Sequence, residues 1–454
     1  MSLRHLHLMG VGGVGMCGIA EVLIAEGLTV SGCDLADNER TRRLAACGAV
    51  VHIGHHPDHL AGVDGLVVSA AVPAADAELQ AARAAGLPVI RRAEMLAELM
   101  RLRRGVAVAG THGKTTTTAL VGHLLTQAGA DPTVIVGGRA HFLGAHARVG
   151  EGSLLVCEAD EYDRSFLELT PHMSVITNIE REHLDCYGSE DELAAAFAAF
   201  ANRSSVFGSV ILCADDPGAW NLRPSLRRRV IGYGFSGEAA MRVRIVGMDA
   251  QGTRFAVSRS GDDLGEVFLP LPGRFNALNA LAAITVGLEL DLEFEELAEG
   301  CRSFTGVARR FEVRGEVGGV TVVDDYAHHP TELAAVLEAA RQALPGRRVV
   351  TVFQPHLFSR TRDFAEEFAR ALLGAEVAIV LPIYPAREKP IEGVGSHLVV
   401  EQARRLQHPH VLEGPPPAEA RRLLEDILRP GDVLLTVGAG DVDQVASAWL
   451  EEAR

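Results

Sequence analysis

Short apolar runs alternate along the chain with longer stretches in which apolar positions recur at helical spacing, the pattern of buried parallel strands joined by helices. Leu6-His-Leu-Met, Thr29-Val-Ser-Gly, Leu66-Val-Val-Ser and Pro88-Val-Ile predict strands, with helices over 17–26 and 76–85. This alternation predicts βαβ units. A charged helical stretch over 91–104 leads into a fresh apolar run at Val106, which places a boundary near residue 104. A second unit carries runs at Val134-Ile-Val, Leu154-Leu-Val-Cys, Val175-Ile-Thr and Val210-Ile-Leu, with a β-rich insertion over 241–271. A connector over 305–312 then precedes a third unit, with strands at 320–323, 349–353, 377–381, 411–412 and 433–437 and helices over 331–344 and 417–428. The expected fold is α/β in three domains: a Rossmann-like domain over 1–104, a P-loop ATPase domain with a mostly parallel sheet over 105–312, and a Rossmann-like domain over 313–454.

Two of the strand ends run into glycine loops. The run from Val106 delivers Gly110-Thr111-His112-Gly113-Lys114-Thr115-Thr116 into a helical segment. Loop and helix N–H groups there face an anion, Lys114 adds a charge for the β- and γ-phosphates, and the Thr115 hydroxyl is a ligand for Mg²⁺. The spacing is one of the shorter variants, since Val108 stands where the general pattern has its first glycine. At the N-terminus, Gly10-Val-Gly12-Gly13-Val-Gly15 follows a strand and opens a helix, with Asp34 ending the next strand. That arrangement predicts a diphosphate on the helix N-terminus and Asp34 near a ribose or base.

Composition narrows the partners. A formal net charge of −16 offers no basic field for nucleic acid. No apolar run approaches membrane-spanning length, so no integral membrane association is expected. The seven cysteines are scattered without a Cys-x-x-Cys, so neither a disulfide framework nor a zinc site is implied, and a reducing cytoplasm fits. The cluster His52, His55, His56, His59 reads as decoration of a surface loop, with a metal site the other reading.

Further candidates sit at other strand ends. Glu158 ends the run at 154–157 and is the chosen Mg²⁺ ligand, while Asp160, Glu161 and Asp163 read as a solvated turn. His183 follows the run at 175–177 as a metal ligand or base. Asn276 and Asn279 share a helix face suited to a purine edge, with capping the other reading of Asn276. Arg309 and Arg310 suit phosphate, one of them alternatively a surface ion pair. Asp325, Tyr326, His328, His356 and Arg360 follow third-domain strands.

Together these motifs resemble the ATP-dependent Mur ligases of bacterial cell-wall synthesis. The resemblance is carried by the segments 10–21, 110–117, 158–161, 177–180, 324–332, 353–356 and 382–388, in the family's order. It implies a cytoplasmic enzyme, a monomer or weak homodimer, that uses ATP and Mg²⁺ to join UDP-N-acetylmuramate to L-alanine through an acyl phosphate. By the resemblance Gly12, Gly13, Gly15, Asp34 and Ser69 serve the UDP-sugar. The segment from Gly110 to Thr116, with Asn276, Asn279, Arg310 and Asp325, serves ATP, and Tyr326, His356 and Arg360 serve the amino acid. Thr115, Glu158 and His183 hold metal; Lys114, His183, Arg310 and His328 are catalytic, and either histidine is a candidate to take the amine proton. Phe275 stands where the family commonly has His, and Leu357 where many members have Arg. Two other readings are a nicotinamide-dependent dehydrogenase, which leaves the Lys114 loop without a task, and the sister ligase that attaches an intact murein tripeptide.

Overall fold

The computed structural model describes residues 3–143, 145–182, 184–386 and 388–451. Its strands form three sheets, as the alternation of apolar runs predicts. In the first sheet β1 (His5–Met9), β2 (Thr29–Asp34), β3 (Val50–Ile53), β4 (Gly65–Val68) and β5 (Val89–Arg91) lie in the order β3-β2-β1-β4-β5, all parallel. The strand order reverses between β1 and β4. The crevice at such a switch point is where open α/β sheets bind ligands, and the loops after these two strands hold Gly10 and Ser69. Helices α1 (Val14–Ala25), α2 (Glu39–Ala46) and α3 (Ala77–Ala84) join β1 to β2, β2 to β3 and β4 to β5, the 3₁₀ turn Pro57–Leu60 lies between β3 and β4, and α4 (Arg92–Arg101) leads to the second sheet.

The second sheet contains β6 (Arg104–Ala109), β7 (Thr133–Ala140), β8 (Ala145–Arg148), β9 (Leu154–Glu158), β10 (Met173–Ile176), β11 (Val210–Cys213), β12 (Val230–Gly234), β13 (Met241–Asp249), β14 (Gly252–Arg259) and β15 (Asp262–Leu269). Their order is β15-β14-β13-β12-β11-β10-β6-β9-β7-β8. Its centre is β6, parallel to β9 and β10, with all four residues of Val106–Ala109 fully buried. Helix α5 (Lys114–Gln127) leaves from there, and its residues from Thr115 to Leu125 are buried almost without interruption. Such all-round burial explains why the helix shows little polar-apolar alternation.

The third sheet has β16 (Glu312–Val317), β17 (Val320–Asp325), β18 (Val349–Phe353), β19 (Val377–Val380), β20 (Val411–Glu413) and β21 (Val433–Val437), in the order β16-β17-β21-β18-β19-β20. The edge pair β16–β17 is antiparallel and the other neighbouring strands run parallel. Both faces are covered, by a layer around Leu333, Val336 and Phe368 and by one around Leu424 and Val445. The apolar runs there are continuous for that reason. The stretch expected as a helix over 417–428 is a 3₁₀ turn at Pro417–Glu419 followed by the helix Ala420–Ile427.

Contacts divide the chain into two compact units, Met1–Arg244 with Ala256–Val267 and Leu278–Val307, and Ile245–Phe255 with Phe268–Ala277 and Ala308–Arg454. Within the first unit, α1 packs on β7 and β8. A Cβ at Gly18 would stand 3.1 Å from Ile135 Cγ2 and 3.2 Å from Ala147 Cβ, so the small residue permits this approach.

Candidate active site

The Lys114 loop is built by β6 and α5 and clamped by the segment that follows β10. The Thr111 N–H donates to the Asn178 carbonyl at 3.0 Å, and the His112 N–H to Asn178 Oδ1 at 2.7 Å. The Thr177 hydroxyl donates to the His112 carbonyl at 2.6 Å, and the Glu180 N–H to Thr111 Oγ1 at 2.9 Å. These bonds replace the support that a longer glycine loop would carry. Gly113 caps α5 at φ 78°, and a Cβ there would lie 2.8 Å from Asn279 Oδ1. We therefore expect Gly113→Ala to cost about 1–2 kcal/mol in backbone strain and to raise the KM for ATP. Calorimetric unfolding combined with ATP kinetics checks this, and an unchanged Tm with unchanged ATP kinetics would refute it.

Lys114 Nζ is held at 2.5 Å from the Gly110 carbonyl and at 2.9 and 2.8 Å from the two carboxylate oxygens of Glu161. Burial alone would lower the lysine pKa, but Glu161, with Asp160 and Glu158, outweighs it and holds the ammonium above its ordinary value. This corrects the reading of Glu161 as part of a solvated turn. Its side chain is only 2% exposed, and Tyr187 donates its hydroxyl to the Glu161 carbonyl from a buried position. The 3₁₀ segment Tyr162–Glu168 folds the chain back after β9 and turns Glu161 inward while Asp163 stays exposed.

Glu158 ends β9 beside Val108 of β6 and accepts the N–H of Gly137. A Cβ at Gly137 would stand 2.7 Å from Glu158 Oε2, and one at the next residue, Gly138, 2.7 Å from Thr115 Cγ2. Glu158 and Thr115 each border β7, and a carboxylate and a hydroxyl are oxygen donors of the kind that Mg²⁺ takes. His183, the other expected metal ligand, lies outside the described residues.

Asn279 sits behind the loop, where its Oδ1 accepts the Thr117 hydroxyl at 3.1 Å. The side chain thereby joins the helix Arg274–Leu288 to α5. Asn276 lies inside that helix and donates from Nδ2 to the Pro272 carbonyl at 2.7 Å, whereas a capping side chain would accept a helix N–H.

At the first glycine loop, Asp34 Oδ2 accepts the Gly12 N–H at 2.8 Å and Oδ1 accepts that of Ala36 at 3.3 Å. Asp34 therefore holds the loop's shape. Gly13 caps α1 with extended backbone and no side-chain cap, leaving the helix N-terminus to an anion. Two arginines that sequence reasoning missed meet this loop. Arg40 donates to the Gly12 carbonyl, and Arg92 Nη1 lies 2.8 Å from where a Cβ of Gly15 would stand. Ser69 packs on Gly10, its Cβ 3.0 Å from that glycine's Cβ position.

In the second unit Arg309 and Arg310 divide their work. Arg309 binds Asp324 at 3.0 Å and the carbonyls of Gly440 and Gly438 at 2.9 and 2.6 Å, so it is the structural member of the pair. Arg310 approaches Glu332 at 3.9 Å and stands 5.2 Å from the centre of the Tyr326 ring. Asp325 accepts N–H groups from Phe311 and Ala327, each at 2.7 Å. Burial pushes its carboxyl up to about 7 against the opposing pull of Arg310 and those N–H groups. His328 contacts the Tyr326 carbonyl through Nδ1 at 3.1 Å, and its ring centre is 5.8 Å from that of His356. Arg360, 7% exposed, reaches His356 Nδ1 at 3.1 Å, and Tyr384 stacks on the other side of His356 at 5.9 Å and 12°. Leu357 adopts φ 71°, a strained value for a branched side chain, at the start of the helix Phe358–Asp363. The geometry thus brings together Tyr326, His328, His356 and Arg360 and adds Tyr384, which lies in the 382–388 segment but had no assigned role.

Family models match almost end to end: the Mur ligase catalytic domain over 5–104, the Mur ligase middle domain over 108–287, and the Mur ligase glutamate ligase domain over 309–440. The UDP-N-acetylmuramate–L-alanine ligase of Salinibacter ruber is 47% identical over 99% of this chain and 95% of its own length. The protein of the same name from Desulfatibacillum aliphaticivorans is 44% identical over 98% of each chain. The crystal structure of UDP-N-acetylmuramate-alanine ligase MurC from Thermotoga maritima superposes with a TM-score of 0.82 at 28% identity, covering 99% of this chain and 98% of that one. A murein peptide ligase from Psychrobacter arcticus shares the fold, with a TM-score of 0.70 at 22% identity and 98% coverage of each chain. With three family models in order and relatives matched over nearly their whole length, the chain belongs to the Mur ligase family.

Proposed function

We infer that this chain is the ligase that joins L-alanine to UDP-N-acetylmuramate at the expense of ATP, in peptidoglycan synthesis. The observation that carries the phosphoryl-transfer half is Lys114, held at the loop by buried Glu161 beside Thr115 and Glu158. Relatives 44–47% identical over nearly the whole chain favour alanine over the tripeptide as acceptor.

A carboxylate and an amine in water form a salt, so the carboxylate must first gain a leaving group. The muramate carboxylate attacks the γ-phosphorus and ADP leaves, giving an acyl phosphate. Lys114 and Arg310 are assigned to offset the charge on the migrating group, the electrostatic contribution expected for phosphoryl transfer. Thr115 and Glu158, with His183, are assigned to Mg²⁺, which when bound neutralises phosphate oxygens. The alanine amine then attacks the acyl carbon, and the tetrahedral intermediate expels phosphate. His328 or His183 takes the amine proton.

By this reading 1–104 holds the UDP-sugar through Gly12, Gly13, Gly15 and Ser69, 105–312 holds ATP, and 313–454 supplies Asp325 to the nucleotide and Tyr326, His356 and Arg360 to the amino acid. Among the described residues no helix is long and apolar enough to cross a membrane. A cytoplasmic site of action follows from where ATP and nucleotide sugars are available. Phosphate release from ATP with UDP-N-acetylmuramate tests the reading: L-alanine should support turnover, while tripeptide or no acceptor should not. Equal turnover with tripeptide would transfer the assignment to the sister ligase.

A further inference from the structure

One face of the first sheet carries polar side chains where an apolar layer is expected. Met9 pairs with Cys33 and Cys33 with His52, while His7 pairs with Ser31, so the alternation of β1, β2 and β3 puts His7, Cys33 and His52 on the same side. Above them lie the 3₁₀ turn Pro57–Leu60, carrying His59, and α3, carrying Glu78. The expectation that the histidines at 52–59 merely decorate a surface loop fails at His59. That side chain is 15% exposed, and those of His7 and Glu78 not at all.

Glu78 gathers the group. Its Oε1 lies 2.9 Å from His7 Nε2 and 3.3 Å from His59 Nδ1, and its Oε2 lies 3.4 Å from Cys33 Sγ. One ligand atom from each of the four residues lies within 4.8 Å of all the others. Around a tetrahedral Zn²⁺, with bonds of about 2.0–2.3 Å, neighbouring donors stand about 3.3–3.8 Å apart, so the observed spacings need little adjustment. His7 Nε2 is fully buried and faces the carboxylate at 2.9 Å. Its other ring nitrogen is held by Ser31 Oγ at 2.8 Å, the outer-shell support typical of a ligating imidazole. The Glu78 carboxylate is likewise oriented by the His56 N–H at 2.9 Å, and His52 stacks on His59 at 4.1 Å and 11°.

We propose that His7, Cys33, His59 and Glu78 form a closed four-coordinate site for a divalent transition metal, with Zn²⁺ the ion that fits. Two imidazoles, a thiolate and a carboxylate are its ordinary ligand types, and four protein ligands make a structural site, without an open position for substrate. On binding, the Cys33 thiol gives up the hydrogen it shares with Glu78 and releases the proton to water. The metal-free arrangement is the hydrogen-bonded cluster described above.

The site lies directly behind the first glycine loop. The Cys33 carbonyl accepts the N–H groups of Gly10 at 2.8 Å and Val11 at 3.1 Å, and the adjoining Asp34 accepts that of Gly12. A metal on Cys33 Sγ would pin the end of β2 and therefore the loop. This consequence for sugar-nucleotide binding rests on the function proposed above; the metal site itself does not.

Cobalt titration of the metal-stripped full-length protein tests it. One Co²⁺ per chain should bind with the intense visible bands of tetrahedral geometry and a near-ultraviolet thiolate-to-cobalt band, and Zn²⁺ should abolish both. The Lys114 loop offers oxygen donors and no thiolate, so Co²⁺ bound there lacks the second band. Cys33→Ser should remove the thiolate band, His59→Ala should weaken Co²⁺ at least about 10-fold, and Cys47→Ser, at an exposed thiol, should change nothing. If Cys33→Ser does not fold, the partly exposed His59→Ala decides. Absence of tetrahedral bands in the wild type, or their retention at full affinity in either folded variant, overturns the proposal.

Discussion

Lys114→Ala is expected to reduce ligation by on the order of 10²-fold or more while UDP-N-acetylmuramate still binds, because the proposed function assigns the two nucleotides to different glycine loops. In the free protein the ammonium is already charged and aimed, fixed by the Gly110 carbonyl and both oxygens of Glu161. The three hydrogens of the ammonium are engaged by these oxygens, so one contact is exchanged when a phosphoryl group arrives, and loss of the charge should act on the transition state more than on sugar binding. Glu161 gives the experiment a second arm. Glu161→Gln keeps the shape but removes the charge that raises the Lys114 pKa, so the lysine should stay in place yet lose part of its hold. We expect a smaller drop in kcat than for Lys114→Ala, with unchanged sugar affinity in both. Calorimetry with UDP-N-acetylmuramate and single-turnover kinetics read the two quantities separately. Loss of sugar binding in Lys114→Ala, or near-normal turnover, would show the loop to have another task.

The parts of this site that were legible in the sequence are those written in adjacent residues. A strand, a glycine turn, a lysine-threonine pair and a helix form one continuous segment, so 106–117 declares its geometry without help from the rest of the chain. Glu158 was legible for the same reason, as the acid at a strand's carboxyl end. Glu161 was not, because its partner is 47 residues away and only the 3₁₀ segment after β9 turns it inward. Asn279 is a further case. Its helix position was evident, but its partner Thr117 lies 162 residues earlier, so the tie to α5 could not be read from spacing alone. Arg40 and Arg92 carried no motif at all. The layout of strands was read well because continuous apolar runs mark sheets covered on both faces, whereas the polar cluster under the first sheet is assembled from three strands, a turn and a helix.

The acceptor site yields the other large effect: Arg360→Ala should raise the KM for L-alanine about 10- to 100-fold, the worth of a charge-assisted hydrogen bond, with the KM values for ATP and UDP-N-acetylmuramate unchanged. Arg360 is buried and permanently cationic, and an arginine has hydrogens only to donate. His356 Nδ1, 3.1 Å away, must therefore accept, which fixes that ring as the tautomer with its proton on Nε2. The ring is held from both sides by Tyr384 and His328. Glu388 adds a nearby negative charge. Burial would raise its pKa, but the Ser359 hydroxyl and N–H, the Phe358 N–H and Arg360 together hold it below the usual carboxylate range. A guanidinium in this frame suits the carboxylate of a small amino acid. Leu357, at the start of the helix that carries Arg360, has its backbone fixed by an N–H bond to the Tyr384 carbonyl at 3.0 Å. A methyl group in such a pocket is worth only about 1–3 kcal/mol, so L-alanine should lead glycine and L-serine by modest factors while tripeptide is refused. Arg360→Lys separates charge from shape: it restores the cation without the planar fork, and we expect a KM between those of the wild type and Arg360→Ala. Competition assays against tripeptide and a Tm for each variant complete the test. Unchanged alanine kinetics in a folded Arg360→Ala, or ready use of tripeptide by the wild type, would remove Arg360 from the acceptor site.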